Sequence, residues 1–253
     1  MNKKIILFVI ISFFLACDED NTTHSGIHEG SIKFRTQQEI DDFSKQGYYR
    51  INGTVSIGEI TLFGDDFIET DISNLEGLRS IEYIQGDLRI LGNDNLTDID
   101  GLNNLAHISA FLAIYGTSLK NISGLNSLSS LGGSVEIGNN NSLINIDGLN
   151  NLSSMEISFR LENNDSLVNI NGLSNLAEIK RVLSISYNEK LTNLEGFNNL
   201  SSFGGAKIES NSSLKDFCGI EKALRNGYNG GFIIKNNAYN PSEQEILNGN
   251  CSN

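Results

Sequence analysis

The cysteines and histidines are the side chains of this sequence best suited to nucleophilic or metal chemistry. The chain has three of each: Cys17, Cys218, Cys251, His24, His28 and His107. No histidine lies close in sequence to the two C-terminal cysteines, so these cysteines make a poor metal site. No Gly-x-Ser-x-Gly motif accompanies the histidines. The sequence therefore predicts no catalytic residue, no metal site and no cofactor.

Cys17 ends an N-terminal segment that is typical of an export signal. Lys3 and Lys4 precede an apolar run, Ile5–Leu15, which is interrupted only by Ser12. A helix rises about 1.5 Å per residue, so this run cannot cross a hydrocarbon core of roughly 30 Å. Such a pattern indicates a secretory signal. The stretch FLAC at positions 14–17 resembles the bacterial lipobox, which implies diacylglycerol on the Cys17 sulfur and an acyl group on its amine.

This interpretation divides the N-terminal part of the chain into two segments. Residues 1–16 form a lipoprotein signal peptide, and residues 17–30 form a flexible acidic tether, held to a membrane by several acyl chains. The acids Asp18–Asp20 resemble the export tag of surface lipoproteins in some Gram-negative bacteria, which implies outer-membrane anchoring and cell-surface exposure. An ordinary signal with a chance cysteine, and a plain solvated tether, are the alternatives.

The composition is acidic, with a formal net charge of −13. Loss of Lys3 and Lys4 with the signal peptide would bring the net charge to −15. Such a surface repels nucleic acid, so no nucleic-acid partner is predicted. An exported chain lies in a compartment that permits disulfides, and we expect Cys218 and Cys251 to be bridged.

A repeat of 23–24 residues runs through most of the chain. It is marked by a glycine before an apolar residue, at Gly77, Gly101, Gly124, Gly148, Gly172, Gly196 and Gly219. Two successive units, Val135–Met155 and Phe159–Ile179, each place seven apolar residues at matching positions. No unit could bury its apolar residues alone, but stacked units make a continuous core. Val-x-Ile and Phe-x-Leu have the two-residue period of short strands, so the sequence predicts an all-β dominated solenoid.

Asparagine recurs at one position of the repeat, three residues after the second apolar residue of the strand. The members of this column are Asn93, Asn140, Asn164, Asn188, Asn211 and Asn237. The coil with Gly116 has a shorter turn and breaks the column. An inward amide carries both donors and acceptors for backbone groups of adjacent coils. We therefore interpret this column as structural.

Carboxylates before the repeat glycine alternate with neutral residues beyond the first two coils. Asp147 and Glu195 flank a coil with Asn171 at this position. This spacing keeps like charges apart and favours a solvated edge. A calcium-binding edge is the alternative, although carboxylates spaced this regularly do not converge on one ion.

Short helical caps are predicted at both ends of residues 31–253, which we interpret as one domain. Thr36–Glu39 is a capping-box pattern that opens a helix in an N-terminal cap of about residues 31–50. The coils then span about residues 51–224, with a long first loop at Gly58–Asp71. A C-terminal cap of about residues 225–253 contains a last strand and a short helix opened by Asn240 and Pro241.

The repeated unit, strand, Asn turn and L-x-x-I-x-G-L-x-x-L, resembles the receptor L-domain family over roughly Ile51–Leu224. The C-terminal cap to Cys251 is similar to that of bacterial members. The resemblance implies a right-handed, β-helix-like leucine-rich-repeat solenoid. In hormone-receptor members the domain binds polypeptide through a sheet face. Their cysteine-rich module, transmembrane helix and kinase are not in this sequence, so a signalling role and individual functional residues do not carry over.

Strand alternation predicts which side chains face outward. If Leu88 and Ile90 point inward, then Asp87, Arg89 and Leu91 point outward. In the next coil the same argument turns Phe111, Ala113 and Tyr115 outward. We take Arg89, Leu91, Phe111 and Tyr115 as the candidate binding patch, because clustered exposed apolar side chains can mark an interaction site. The alternative is that the Gly58–Asp71 loop covers the patch.

Three functions are compatible with these patterns. The leading one is a non-enzymatic cell-surface lipoprotein that displays its solenoid for binding or adhesion to protein or glycan. The second is a carbohydrate-active β-helix enzyme, but coils without long loops after the first leave little wall for a substrate cleft. His24 and His28 fall in the predicted tether, and His107 beside inward Ile108 is expected to be solvated. The third is a purely structural envelope protein.

Overall fold

The structure is a computed structural model that describes residues 26–59 and 70–253. The predicted signal peptide, Cys17, His24 and most of the predicted Gly58–Asp71 loop lie outside the described residues. Within the described ranges no helix is both long and apolar enough to cross a membrane.

Short parallel strands build this part of the chain. They are β1 (Ile27–Glu29), β2 (Ile32–Phe34), β3 (Arg50–Asn52), β4 (Val55–Gly58), β5 (Tyr83–Ile84), β6 (Leu88–Asn93), β7 (His107–Ile108), β8 (Leu112–Thr117), β9 (Ser130–Leu131), β10 (Val135–Gly138), β11 (Ser154–Met155), β12 (Phe159–Glu162), β13 (Glu178–Ser186), β14 (Ser202–Glu209) and β15 (Phe232–Lys235). The α-helices are α1 (Gln37–Ser44), α2 (Glu221–Asn226) and α3 (Glu243–Leu247).

The strands form two sheets, and the coils up to the one that contains β9 and β10 contribute to both. The short sheet has the order β1-β3-β5-β7-β9, and the long sheet has the order β15-β14-β13-β12-β10-β8-β6-β4-β2, with β11 paired to β13. Each strand pairs in parallel with the corresponding strand of a neighbouring coil. The predicted repeat solenoid is thus confirmed as a stack of parallel strands in two sheets.

The inward-facing residues fill the space between the two sheets and the third side of each coil. Every apolar position predicted from the two matched units is at most 1% exposed: Val135, Ile137, Leu143, Ile146, Leu149, Leu152, Met155, Phe159, Leu161, Leu167, Ile170, Leu173, Leu176 and Ile179. Burial of each such side chain stabilises the fold by about 1.5–3 kcal/mol before entropy is counted. The core is continuous because each coil covers the apolar edge of the next.

The third side of each coil is a single 3₁₀ turn that holds the repeat glycine. These turns are Glu76–Leu78, Asp100–Leu102, Ser123–Leu125, Asp147–Leu149, Asn171–Leu173, Glu195–Phe197 and Cys218–Ile220. A Cβ atom on Gly148 would overlap the carbonyl oxygen of Ile122 in the preceding coil, and one on Gly172 would overlap that of Ile146. Glycine is required there because the backbones of successive coils touch.

A second row of Asn and Asp side chains opens these 3₁₀ turns. The Oδ1 atom of each accepts a hydrogen bond from the backbone N–H two residues later, as Asn121 does from Ser123 at 3.0 Å and Asp216 from Cys218 at 2.8 Å. This local bond satisfies a donor at the start of a helical turn, where no earlier carbonyl is in reach.

The N-terminal cap has the predicted helix but also takes part in the coil stack. Helix α1 begins with the predicted capping box, in which Thr36 Oγ1 accepts from the Glu39 N–H and Glu39 Oε2 accepts from the Thr36 N–H. Strand pairing, however, begins at β1 and β2, before the predicted start at residue 51. His28, predicted in the tether, lies in β1, and its ring centroid is 5.4 Å from that of Tyr48.

The C-terminal cap differs from the prediction at its last helix. Helix α3 begins after Ser242, whose hydroxyl accepts from the Glu245 N–H in a second capping box. Asn240 and Pro241 therefore precede the helix and do not open it. The predicted disulfide is present: Cys218 and Cys251 are bridged, with their Cα atoms 4.9 Å apart.

Candidate binding face

Strands β6 and β8 bring the patch residues onto one outward face of the long sheet. Arg89 is paired with Ala113, and Leu91 is paired with Tyr115, so each pair consists of direct neighbours on adjacent parallel strands. Leu88, Ile90, Leu112 and Ile114 point inward and are fully buried. Alternation along a strand therefore turns Arg89, Leu91 and Tyr115 outward, as the sequence predicted.

Phe111 lies immediately before β8 and is 40% exposed. Its ring packs over the backbone of Gly133 in the next coil, where an added Cβ atom would be 2.5 Å from the ring. Its backbone N–H donates to Asp87 Oδ1 at 3.1 Å. The Phe111 ring thus contacts the next coil on one side, and its exposed part is accessible to a partner.

Asp87 departs from the sequence prediction, which turned it outward. Asp87 is only 8% exposed, and its Oδ1 atom accepts a hydrogen bond from the Phe111 backbone N–H. The other carboxylate oxygen, Oδ2, accepts a short hydrogen bond from Arg89 Nη2. Strand alternation places Asp87 on the correct side of the sheet. At the corner between the sheets, however, its carboxylate turns toward the next coil and contacts the Phe111 backbone. The Arg89 guanidinium is consequently held in place by Asp87.

Tyr115 is half-buried by groups of the following coils. Its ring lies over Gly138, the residue paired with it on β10, and its hydroxyl donates to Glu136 Oε2 at 3.4 Å. Burial raises the pKa of the Tyr115 phenol well above its ordinary range, and the nearby Glu136 and Glu162 carboxylates raise this pKa further. The hydroxyl therefore stays protonated, and its oxygen can accept a hydrogen bond from a partner while its proton is directed to Glu136.

The face as a whole combines apolar area with fixed polar groups. Leu91, Phe111, Ala113 and Tyr115 supply apolar surface. At its edges Arg89 supplies N–H donors, and the Tyr115 hydroxyl oxygen supplies an acceptor. Gly133 lies beneath the Phe111 ring and Gly138 beneath the Tyr115 ring, so no side chain separates the rings from the backbone of the next coil. Large, rigid aromatic side chains of this kind contribute strongly to interfaces when a partner buries them.

The predicted Asn column is a buried ladder rather than a site. Each of Asn140, Asn164, Asn188 and Asn211 donates its backbone N–H to the side-chain oxygen of the next Asn in the series, at 3.0–3.2 Å. The side-chain Nδ2 of Asn164 also donates to the carbonyl oxygens of Ile137 and Glu162, both at 3.1 Å. These amides are fully buried and hold the turns of adjacent coils together.

The ladder changes at both ends and at the third coil. Asn93 accepts from Thr70 Oγ1 at 2.8 Å and donates to the Ile57 carbonyl at 2.9 Å. In the shorter third turn, Thr117 replaces asparagine, and its hydroxyl donates to Asn140 Oδ1 at 2.7 Å. Asn237 is the last member from the repeats, and Asn240 caps it.

A further row of polar side chains was missed by the sequence reasoning. Side chains after the 3₁₀ turns donate to backbone carbonyls of the preceding coil, as in Asn104 to Arg79 at 2.9 Å and Asn175 to Asn150 at 2.7 Å. The Leu-Asn-Asn-Leu motif that recurs in the repeat could have revealed this row. It is architectural, because it binds coil to coil.

The carboxylate edge before the repeat glycines does not gather into a cation site. Among residues 26–59 and 70–253, no group of three or more His, Cys, Asp or Glu side chains is placed to hold a metal ion. Glu76 instead pairs with Arg79 within its own turn. His107 is exposed on β7, where its ring is 5.8 Å from that of Tyr83.

Comparisons with known proteins add little to this description. No protein-family model matches the chain, and no curated protein matches it. A solved leucine-rich-repeat protein of Leptospira interrogans is similar over 85% of this chain and 68% of its own, with 13% sequence identity and a TM-score of 0.33.

Proposed function

We propose that this chain is a non-enzymatic lipoprotein that displays a repeat solenoid for binding or adhesion to a protein or glycan. The observation that carries the proposal is the pairing of Leu91 with Tyr115 on adjacent strands, beside the exposed ring of Phe111. Together they form an apolar face with the Arg89 guanidinium at its edge. A face of this kind suits recognition of a partner, which would bury the rings.

The proposal includes an anchor and a location. Lipid on Cys17 holds the chain to the outer membrane of a Gram-negative bacterium, and residues 17–25 connect it to the stack that begins at β1. The solenoid then stands at the cell surface. The FLAC sequence at positions 14–17, which resembles the lipobox, and the acids that follow it support this anchor and this location.

The solenoid is, in this proposal, of the right-handed, β-helix-like receptor L-domain type. The support is the repeated L-x-x-I-x-G-L-x-x-L motif, together with parallel strands stacked coil on coil. Sheet-face recognition, as in receptor members of that family, fits the outward face of β6 and β8.

The test is a binding screen of the exported Cys17→Ser protein against glycans and envelope proteins, with assays for reducing-end release run alongside. A partner that binds saturably and without turnover is expected. The double variant Phe111→Ala/Tyr115→Ser should weaken this binding at least about tenfold, near 1.4 kcal/mol. Circular dichroism and thermal melting establish that the variant is folded.

The matched control is Ile144→Ala/Val168→Ser. These side chains are also exposed and apolar, and they are neighbours because the Val168 N–H donates to the Ile144 carbonyl at 3.0 Å. They lie on a different side of the coils, so affinity should be unchanged. Unchanged affinity in the Phe111/Tyr115 variant would remove this face as the binding site, and sugar release would contradict the non-enzymatic role.

A further inference from the structure

Strands β13 and β14 both run without a break through the long sheet, and one stretch of β14 is a residue shorter than the stretch of β13 that it faces. Ile179 pairs with Phe203, and Leu183 pairs with Ala206, so four steps along β13 oppose three along β14. The register shifts between Ile179 and Val182 to absorb the difference. The extra residue on β13 has no partner on β14, as in a β-bulge.

Glycines leave the adjacent surface without side chains. Gly204 and Gly205 lie on β14, and Gly230 and Gly231 lie before β15. An added Cβ atom on Gly204 would be 2.5 Å from the Arg181 carbonyl oxygen, and one on Gly230 would be 2.5 Å from that of Gly204. The backbones of adjacent coils are therefore in contact at Gly204 and Gly230. An added Cβ atom on Gly231 meets nothing within 4 Å, so the open surface lies over Gly231.

The result is a concavity of about 500 Å³, which we name the glycine notch. It is lined by Lys180, Arg181, Val182, Gly204, Gly205, Ala206, Lys207, Asn229, Gly230, Gly231 and Ile233. Its size is within the range of sites that hold a small ligand or one anchoring side chain.

The sides of the notch are aliphatic and exposed. Val182 on β13 is 44% exposed and Ile233 on β15 is 45% exposed, although both are large apolar side chains. They lie on the two strands that flank β14, where Val182 is paired with Gly205 and Ile233 is paired with Lys207. No aromatic ring is among the lining residues, so the stacking platform that sugars favour is missing from this notch.

Three basic side chains, Lys180, Arg181 and Lys207, line the notch in a chain whose net charge is −13. Lys180 pairs with Glu156, and Lys207 pairs with Glu209. The Arg181 side chain is exposed and has no hydrogen-bond or ion-pair partner in the part of the chain that the structure describes. A guanidinium without a partner next to an apolar notch is complementary to a carboxylate that follows an apolar group.

We propose that the glycine notch binds an extended acidic segment of a partner polypeptide. An apolar side chain of that segment lies over Gly231, between Val182 and Ile233. A neighbouring Asp or Glu pairs with Arg181. This inference rests on the proposed binding role but concerns a site separate from the face on β6 and β8.

The probe is a set of fluorescent decapeptides with one Leu, Ile, Val or Phe at the centre and Asp or Glu at varied flanking positions. Two matched sets replace the acids by Lys or the central apolar residue by Ser. The acidic–apolar set should be retained by the immobilised full chain at least tenfold better than either matched set. Higher salt should weaken retention, because the pairing with Arg181 is exposed.

Two variants place the binding in the notch. Arg181→Ala removes the free cation, and its control is Arg79→Ala, which makes the same change of charge where the arginine is already paired with Glu76. Gly231→Leu fills the notch, and an added Cβ atom there meets nothing within 4 Å, so the fold should persist. Both notch variants should lose at least tenfold in retention, and Arg79→Ala should not.

The outcomes separate this site from the face on β6 and β8. Equal retention of the three peptide sets, or retention unchanged in Arg181→Ala, would overturn the notch. Loss of retention in Phe111→Ala/Tyr115→Ser but not in Arg181→Ala would assign the peptides to the other face and would also overturn it. If Gly231→Leu melts early, the Arg181→Ala and Arg79→Ala pair decides alone.

Discussion

The side-chain oxygen of Asn240 accepts hydrogen bonds from both the backbone N–H and the Nδ2 group of Asn237, at 2.8 and 3.3 Å. In return, Asn240 Nδ2 donates to the Asn237 carbonyl at 2.9 Å. A residue outside the repeats thus closes the buried ladder where no further coil could supply an amide. Without it, the last donors of the ladder would lose their partner.

Removal of a central amide of the ladder should destabilise the fold but leave the structure of the proposed binding surfaces unchanged. Asn164→Ala leaves the Ile137 and Glu162 carbonyls and the Asn140 N–H without their partner, so we expect a loss of about 1–3 kcal/mol in the free energy of unfolding. Asn150→Ala, at an exposed position whose side chain makes no described hydrogen bond, is the control. Urea unfolding of both variants measures the difference. A normal midpoint for Asn164→Ala would contradict the structural role.

Replacement of a repeat glycine by alanine should destabilise the fold. In Gly148→Ala the new Cβ atom would overlap the Ile122 carbonyl, so the two coils must move apart. Overpacking of this kind costs about 1–3 kcal/mol. Gly231→Ala, where the added atom meets open space, should be nearly neutral. Thermal melting compares them, and equal melting temperatures would show that the coils are not in backbone contact at Gly148.

The Cys218–Cys251 disulfide should stabilise the C-terminal cap. It closes a loop of 33 sequence steps, and the Phe217 N–H beside it donates to the Cys251 carbonyl at 2.9 Å. Chain entropy then gives about 3–4 kcal/mol in the oxidised protein. Urea unfolding with and without a reductant measures this contribution, after peptide mapping of the exported protein under non-reducing conditions. Free thiols at both positions would refute the bridge.

Acid should remove the contribution of Glu209. Its carboxylate pairs with Lys207 and, at 3.2 Å, with Lys235. The hydrogen bond from Lys207 and that from Lys235 lower the Glu209 pKa below its ordinary value of 4.5, although burial opposes the shift. Because the folded pKa is the lower one, the unfolded state binds more protons. This stability is therefore present above pH 4.5 and is lost as the pH falls through the folded pKa.

The measurement is the melting temperature from pH 7 to pH 3. Glu209→Gln should melt below the wild type at pH 7, and the gap should narrow as the pH falls below 4.5. Glu189→Gln, at an exposed position with no described ion pair, should follow the wild type throughout. A gap for Glu209→Gln that stays constant with pH would contradict the ion-pair explanation.

Cys17 should carry lipid. The basis is the apolar run that ends in Ala16 and Cys17. Metabolic labelling with a fatty acid should mark the wild type but not Cys17→Ser. The same cells, fractionated, should show the wild type in membranes and the variant released. Equal labelling of both proteins would contradict the lipid anchor.

Much of the architecture could be predicted from the repeat. A period of 23–24 residues, with apolar residues at the same places in each period, places every predicted core residue inside. Strand alternation likewise predicts Leu91 and Tyr115 as outward neighbours, which the pairing of β6 with β8 shows. These features follow from the sequence because one coil's contacts are repeated in the next.

What only the tertiary structure decided lies where the repeat changes. Asp87 folds back onto the Phe111 backbone, Asn240 closes the ladder, and one shorter stretch of β14 at Gly204 opens a notch beside Arg181. Each depends on a contact between successive coils or between the last coil and its cap. A repeated pattern predicts which residues point inward in every coil, because those contacts recur. It does not predict contacts that occur in one coil only, and these contacts determine the shape of the surface.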